Sequence, residues 1–254
     1  MQEKYYGWGL PVDVSVHGWQ VDQLIVVVHV FMAVLFIGWF SFLIYALIRF
    51  RQKPAHQADA RARHFKLPTY VEAGVALFEV VLLCAFSFPI FSQARNEFPR
   101  EDKALKVRVV AEQFAWNVHY PGKDGLFGRM DPKLIKAVNP LGLDPADPAG
   151  RDDVTTVNQL RVPVHTPVIV ELASKDVIHS FAIPVMRVKQ DVIPGQTVRS
   201  WFEAKQTGNF QIVCAQLCGL GHYRMRGFFT VQDKDEFRTW FDAETAKKTG
   251  QKQP

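Results

Sequence analysis

Four soft donors sit in one short run of this chain, Cys214-Ala-Gln-Leu-Cys218-Gly-Leu-Gly-His222-Tyr-Arg-Met225. Two are thiols, one is an imidazole and one is a thioether. Thiolate with imidazole selects copper or zinc, and a thioether tilts the choice towards copper. A second imidazole, His179 in Asp176-Val-Ile-His179-Ser, lies upstream in an apolar, β-rich setting and can come from a neighbouring strand. One copper with one thiolate, two imidazoles and a weak methionine would make a blue-copper site. Here two thiolates are spaced to face one point. They can bridge two copper ions, with His179 and His222 capping one each and Met225 as a weak axial group.

Two plainer readings compete. Paired cysteines outside the membrane usually form a disulfide, but a disulfide leaves His179, His222 and Met225 without a purpose. Cys/His clusters most often hold zinc, but these cysteines are not a Cys-x-x-Cys pair and zinc has no use for Met225. The third cysteine, Cys84, lies in an apolar run, where a thiol packs as a small hydrophobe. No Cys-x-x-Cys-His occurs, so no covalently attached c-type haem is expected.

On these residues the chain resembles subunit II of the haem-copper oxygen reductases, the cytochrome c oxidase subunit that carries the dinuclear CuA centre. The family pattern Cys-x-Glu-x-Cys-x-x-x-His-x-x-Met is met by Cys214, Cys218, His222 and Met225. The remote family histidine is met by His179, and Arg187-Val-Lys-Gln-Asp191-Val-Ile-Pro-Gly195 matches a further stretch. Gln216 stands where most members carry glutamate. The resemblance implies that its backbone carbonyl is a copper ligand, which glutamine supplies equally well. It also implies a magnesium or manganese ion bound through that side chain at the subunit I interface. A neutral amide is a poorer ligand for a hard cation, so a weak or empty second site is expected.

The elements that position these groups begin at Leu105-Lys-Val-Arg-Val-Val110, which alternates as a strand does. The aromatic segment Glu112-Gln-Phe114-Ala-Trp116-Asn-Val-His119-Tyr120 follows. Its aromatics can simply pack a core. The resemblance implies that this segment lies over the copper and that its first tryptophan is where electrons enter; here that position is Phe114, so the alternatives are Trp116 or Tyr120 as the electron-accepting side chain, or a path that uses none of them. Pro121–Val157 is rich in Gly, Pro and Asp and reads as a long solvated insertion. Asp144, Asp147, Asp152 and Asp153 make it locally acidic, and the stretch after Asp124 has too few oxygen ligands for calcium. Strand signals return from Leu160, at 168–172, 196–204, 209–213 and 227–231, with Gly and Pro turns between them. With the ligand loop before the last strand, the expected fold is a two-helix transmembrane hairpin followed by an all-β cupredoxin-like Greek-key barrel. Residues 233–247 are expected to form a covering helix with Phe237, Trp240 and Phe241 on one side.

The anchor is legible in the apolar runs. Leu24–Ile48 has no Asp, Glu, Lys or Arg and spans roughly 37 Å as a helix, enough to cross a bilayer with some tilt. Tyr70–Phe91 is a second span that holds Glu72, Glu79 and Pro89. Arg49, Arg51, Lys53, Arg61, Arg63 and Lys66 lie between them against one acid, Asp59. By the positive-inside rule that loop is cytoplasmic, and both termini and the copper domain are periplasmic. No signal peptide is read in Met1–Gln20; either the tail is translocated directly or a leader is missing. The segments expected are 1–23 outside, 24–91 the hairpin, 92–232 the copper domain with insertion 121–157, and 233–254 the C-terminal helix and tail.

The resemblance further implies a role for Glu72 at the entrance of a proton channel in subunit I; the alternative is an interfacial carboxylate that snorkels. It gives none for Glu79. It implies electron transfer from cytochrome c, or a tethered cytochrome domain, through copper to haem in subunit I, where oxygen is reduced with proton pumping in a bacterial cytoplasmic membrane. Membrane lipid and the other oxidase subunits are partners, and nucleic acid is not. A quinol oxidase subunit would lack the copper ligands. A CuA-bearing nitric oxide reductase subunit and a non-enzymatic membrane copper protein are the alternatives; the gas consumed separates the first, and a purple mixed-valence spectrum the second. From Ser92 onward 23 Lys and Arg face 19 Asp and Glu, a formal +4, so a strongly basic donor would be steered poorly unless the acidic loop at 144–153 lies on the docking face.

Overall fold

The computed structural model describes residues 5–6, 9–52 and 66–249. Of the basic loop, Lys53, Asp59, Arg61 and Arg63 lie outside them. The chain divides into two compact units, residues 20–93 and a second unit of residues 1–19 with 94–254.

The first unit is helical. Helix α1 runs Gly18–Arg49, and α2 runs Leu67–Leu82. A π-helical turn, Leu83–Ser87, then leads into α3, Phe88–Asn96. Pro89 explains the break: it lacks an N–H and its ring crowds the carbonyl four residues back, so the preceding turn widens. Helix α1 begins at Gly18 rather than Leu24 because Trp19–Gln23 carries no helix breaker. Two spans, Gly18–Arg49 and Leu67–Gln93, are long and apolar enough to cross a membrane. Phe31 stacks on Phe78 at 4.2 Å between ring centroids, joining the two spans.

The second unit is all-β and cupredoxin-like, two five-stranded sheets around a shared core. Its strands, after the short pair β1 (Tyr5–Tyr6) and β2 (Leu10–Pro11), are β3 (Leu105–Glu112), β4 (Ala115–Tyr120), β5 (Val154–Val157), β6 (Gln159–Pro163), β7 (Pro167–Ser174), β8 (His179–Ile183), β9 (Val188–Val192), β10 (Val198–Glu203), β11 (Gly208–Cys214) and β12 (Arg226–Gln232). One sheet has the order β10-β7-β3-β4-β5 and the other β6-β12-β11-β8-β9. Pairing is antiparallel except for β3 with β7 and β6 with β12. Side chains alternate between faces in a strand. Accordingly Val107, Val109 and Ala111 of β3, Trp116, Val118 and Tyr120 of β4, and Val168, Val170 and Leu172 of β7 enter the core at every second position. Phe181 and Ile183, Ile212 and Cys214, and Phe229 and Val231 do so from the other sheet. Each such large side chain contributes about 1.5–3 kcal/mol by leaving water.

Two parts of this unit depart from the sequence expectation. The insertion is not a free solvated loop: Val154–Val157 is a strand paired to β4, and Asp153 is fully buried. Asp153 accepts hydrogen bonds from the amides of Gly122 (3.0 Å) and Gly128 (2.8 Å) and from His119 Nε2 (2.5 Å). Arg129 pairs with Asp144, and its amide donates to Asp147. The segment before α1 is also built into the β unit. Val14 is fully buried, its amide donates to the Val185 carbonyl, and its carbonyl accepts from Lys205. The C-terminal helix α4, Lys234–Thr249, covers one end of the core; Trp240 meets the Tyr120 ring edge-on at 5.5 Å.

Candidate metal centre

Three elements bring the soft donors together. His179 opens β8, Cys214 closes β11, and the loop 215–225 leads into β12. The end of β11 is pinned on both sides: the Cys214 amide donates to Met225 O, and the Ala215 amide to Ser180 O. The loop then folds back through a short 3-10 turn, His222–Arg224, whose first amide donates to Gly219 O.

The resulting geometry is compact. The two sulfurs of Cys214 and Cys218 stand 3.8 Å apart. This is far from the ~2.05 Å of a disulfide, and both cysteines are free. His179 Nδ1 lies 4.0 Å from Cys214 Sγ, and His222 Nδ1 lies 3.6 Å from Cys218 Sγ. Met225 Sδ is 3.6 Å from Cys218 Sγ, and Gln216 O is 3.2 Å from Cys214 Sγ. His179, Cys214, Cys218 and Met225 are buried, and His222 is half-buried. Among the described residues, His179, Cys214 and Cys218 form the one group of this kind able to hold a metal ion.

The donor set fits a metal. Metal–thiolate bonds are about 2.3 Å for zinc, so sulfurs at this separation can share an ion. His179 presents Nδ1 to the sulfurs while its Nε2 is held by Asp176 at 2.9 Å. A carboxylate on the remote nitrogen fixes the ring and its tautomer, the usual support of a metal-bound histidine. Asp176 stays below the usual carboxylate range: burial pushes it up, but hydrogen bonds from His179 and from the Gln113 and Val177 amides outweigh that. The Cys218 thiol is raised to about 11 by burial first and by the Cys214 sulfur second. A metal ion would displace that proton, so binding is coupled to proton release.

The aromatic segment lies against this group. Phe114, half-buried, occupies the turn between β3 and β4, and its ring covers the loop backbone. A Cβ at Gly221 would meet Phe114 Cδ2 at 2.4 Å, so the loop approaches the ring only because glycine is there. Trp116 is fully buried and meets His179 edge-on at 6.2 Å. Tyr120 is also buried; its contacts are Arg161 and the aromatics of α4. Burial pushes its phenol well above the ordinary value. Gln216 is exposed, and its backbone carbonyl is the atom that lies against the sulfurs. Glu72 and Glu79 are exposed on α2. Gln113 and the grip of Asp176 on His179 leave no mark in the sequence, because polar residues at turns carry no specific signal.

A family model for the periplasmic domain of cytochrome c oxidase subunit II matches residues 105–230. The alternative cytochrome c oxidase subunit 2 of Bradyrhizobium diazoefficiens is 32% identical over 92% of this chain and 83% of its own length. The chain belongs to the cytochrome c oxidase subunit II family. Cytochrome c oxidase subunit 2 of Cereibacter sphaeroides is 29% identical over 91% of this chain and 77% of its own. A crystal structure of the periplasmic domain of subunit II of the cytochrome oxidase of Bradyrhizobium japonicum is similar at 32% identity, covering 59% of this chain and 98% of that one with a TM-score of 0.43. Subunit II is part of cytochrome c oxidase, an oxidoreductase complex, and the His/Cys/Cys group described above has the geometry to hold a metal ion.

Proposed function

We propose that this subunit II accepts electrons from cytochrome c or a tethered cytochrome domain at a dinuclear copper centre and delivers them to haem in subunit I, where oxygen is reduced to water with proton pumping. The observation that carries the reading is the pair of free sulfurs 3.8 Å apart between His179 Nδ1 and His222 Nδ1. Cys214 and Cys218 would bridge, His179 and His222 would cap, and Met225 and the Gln216 carbonyl would be weak ligands. Copper held there would supply a one-electron carrier. The β-sandwich contributes rigidity: β8, β11 and β12 anchor an otherwise exposed loop whose Cys214, Cys218 and Met225 side chains are buried with His179, which limits rearrangement when charge changes. The test is the intact oxidase, which should contain two coppers per subunit II, show a mixed-valence spectrum and consume oxygen with reduced cytochrome c. A complex with no copper bound to subunit II would refute the reading.

Phe114 is the proposed surface where electrons enter, since it covers the copper loop from the half-exposed turn, and Trp116 stands behind it against His179. Residues 92–232 are the copper domain, 24–91 its anchor, and 233–254 its helical cover and tail. The domain is assigned to the periplasm with both termini. Support comes from the basic residues between the spans and from Val14, which ties the segment before α1 to the same β unit that follows α3. Glu72 is assigned to the proton channel entrance.

Gln216 gives a direct expectation. Its side-chain amide is neutral, so oxidase from manganese-grown cells should hold substoichiometric manganese at the subunit interface, read by elemental analysis and manganese resonance. Gln216→Ala should keep both coppers, because the backbone carbonyl remains. Stoichiometric manganese would contradict this.

The donor gives another. Asp153 is buried and Asp144 is paired with Arg129, so the insertion offers little acidic field, while Arg224 and Arg226 are exposed beside the ligands. Turnover with the native donor should fall only weakly between low and physiological salt, where screening acts over about 10 Å. A steep fall, relieved by neutralising Asp144 and Asp147, would count against a weakly basic or tethered donor.

A further inference from the structure

The two-residue turn between β3 and β4 touches both halves of the metal group. The Gln113 side-chain amide donates to the Cys218 carbonyl at 2.6 Å. Its main-chain N–H donates to Asp176 Oδ2 at 2.7 Å, while Asp176 Oδ1 holds His179 Nε2 at 2.9 Å. The side chain lies flat on the loop: a Cβ at Gly219, where φ is +131°, would meet Gln113 Nε2 at 2.7 Å. The turn is itself fixed, because Lys175, next to Asp176, donates its amide to Ala111 O at 3.0 Å. Neither strand bearing a cysteine or histidine ligand includes this residue. One residue thus grips the carbonyl of one thiolate ligand and, through one carboxylate, the imidazole on the far side of the other.

We infer that Gln113 is a positioning residue of the metal centre, a strut that sets the thiolate loop against the His179 imidazole. The inference rests on the ligand set proposed above. Groups that orient ligands in this way typically account for 10–100-fold in metal affinity or activity. The side-chain and main-chain contacts separate by mutation. Gln113→Ala removes only the bond to Cys218 O and leaves the main-chain N–H on Asp176. Gln113→Glu keeps the shape and replaces the donor by an acceptor facing a carbonyl.

The test uses the whole oxidase, with haem content as the check on assembly. Both variants should assemble, and copper should be lost to a competing chelator about tenfold more readily than in the parent. The near-infrared mixed-valence band, the copper hyperfine splitting and the midpoint potential of the centre should shift in both. Asp176→Asn, which loosens His179, should shift the same readouts, and its effect on the potential should combine non-additively with Gln113→Ala. Parent-like spectrum, potential and chelator resistance in both Gln113 variants would overturn the inference while leaving the ligand set standing. Absence of a dinuclear signature from the parent oxidase would instead remove the ligand set, and the strut with it.

Discussion

Cys218→Ser should abolish the dinuclear copper signature of the oxidase, the largest functional loss expected from any single substitution in this chain. Cys218 is the hub of the group, with Cys214 Sγ, His222 Nδ1 and Met225 Sδ all within 3.8 Å of its sulfur. A serine oxygen is a hard, poorly ionised donor, whereas copper at such sites is selected by soft thiolate. With one bridge gone, no second thiolate shares charge between two ions, so at most one copper should remain and the mixed-valence band should vanish. Electron delivery to haem from cytochrome c should fall to background, while haem reduction by a small artificial reductant persists. Met225→Leu is the contrasting variant. It removes a weak thioether from a buried site and should retain both coppers with a shifted potential. Two coppers and a parent-like band in Cys218→Ser would refute the assignment of the bridge.

What the sequence made legible follows from how specific each signal is. Two cysteines, a histidine and a methionine in one loop have few joint explanations, and the structure gathers them with His179, the remote imidazole read from a separate segment. Apolar runs of spanning length are equally plain, although polar Gln20, Asp22 and Gln23 hid the first turn of α1. The strand β5 was hidden because Val-Thr-Thr-Val at 154–157 is a short edge strand after a Gly, Pro and Asp-rich stretch; pairing to β4, not local pattern, makes it a strand. The docking of Val14 on Val185 and Lys205 joins residues far apart in the chain, which periodicity cannot reveal. Gln113 and Asp176 are ordinary turn residues by type, and only the approach of β3–β4 to the ligand loop gives them a partner. Tyr120 shows the converse case: an aromatic in the right segment whose ring serves the packing of α4.

Asp153→Ala should destabilise the β unit by about 3–5 kcal/mol, the cost of breaking a buried, charge-assisted network. The carboxylate has no exposure and receives three donors, His119 Nε2 and the Gly122 and Gly128 amides. Its removal strands all three and unpins the insertion from β4. For a domain of this size the loss lowers the melting temperature on the order of 10 °C, read as unfolding of the outer domain in the solubilised oxidase. Asp242→Ala breaks only the surface pair with Lys123 and should cost about 0–1 kcal/mol. The same network sets a pH response. His119 is held below the ordinary histidine value by burial, despite the opposing pull of Asp153. The unfolded chain therefore takes up its proton first, and stability falls as pH drops below about 6.5. Asp153 is itself held low, with burial opposing and the hydrogen bonds from His119, Gly128 and Gly122 prevailing. Its stabilisation is present above the unfolded carboxylate value of about 3.9 and is lost as pH falls through the lower folded value. His17, lowered mainly by burial, adds a drop of the same sign as His119, so the comparison has to be made against a variant. His119→Gln can keep a donor on Asp153 without titrating, and should flatten the loss between pH 6.5 and 5 by up to about 1.4 kcal/mol per pH unit. Equal pH slopes for His119→Gln and the parent would show that the pair does not titrate with folding.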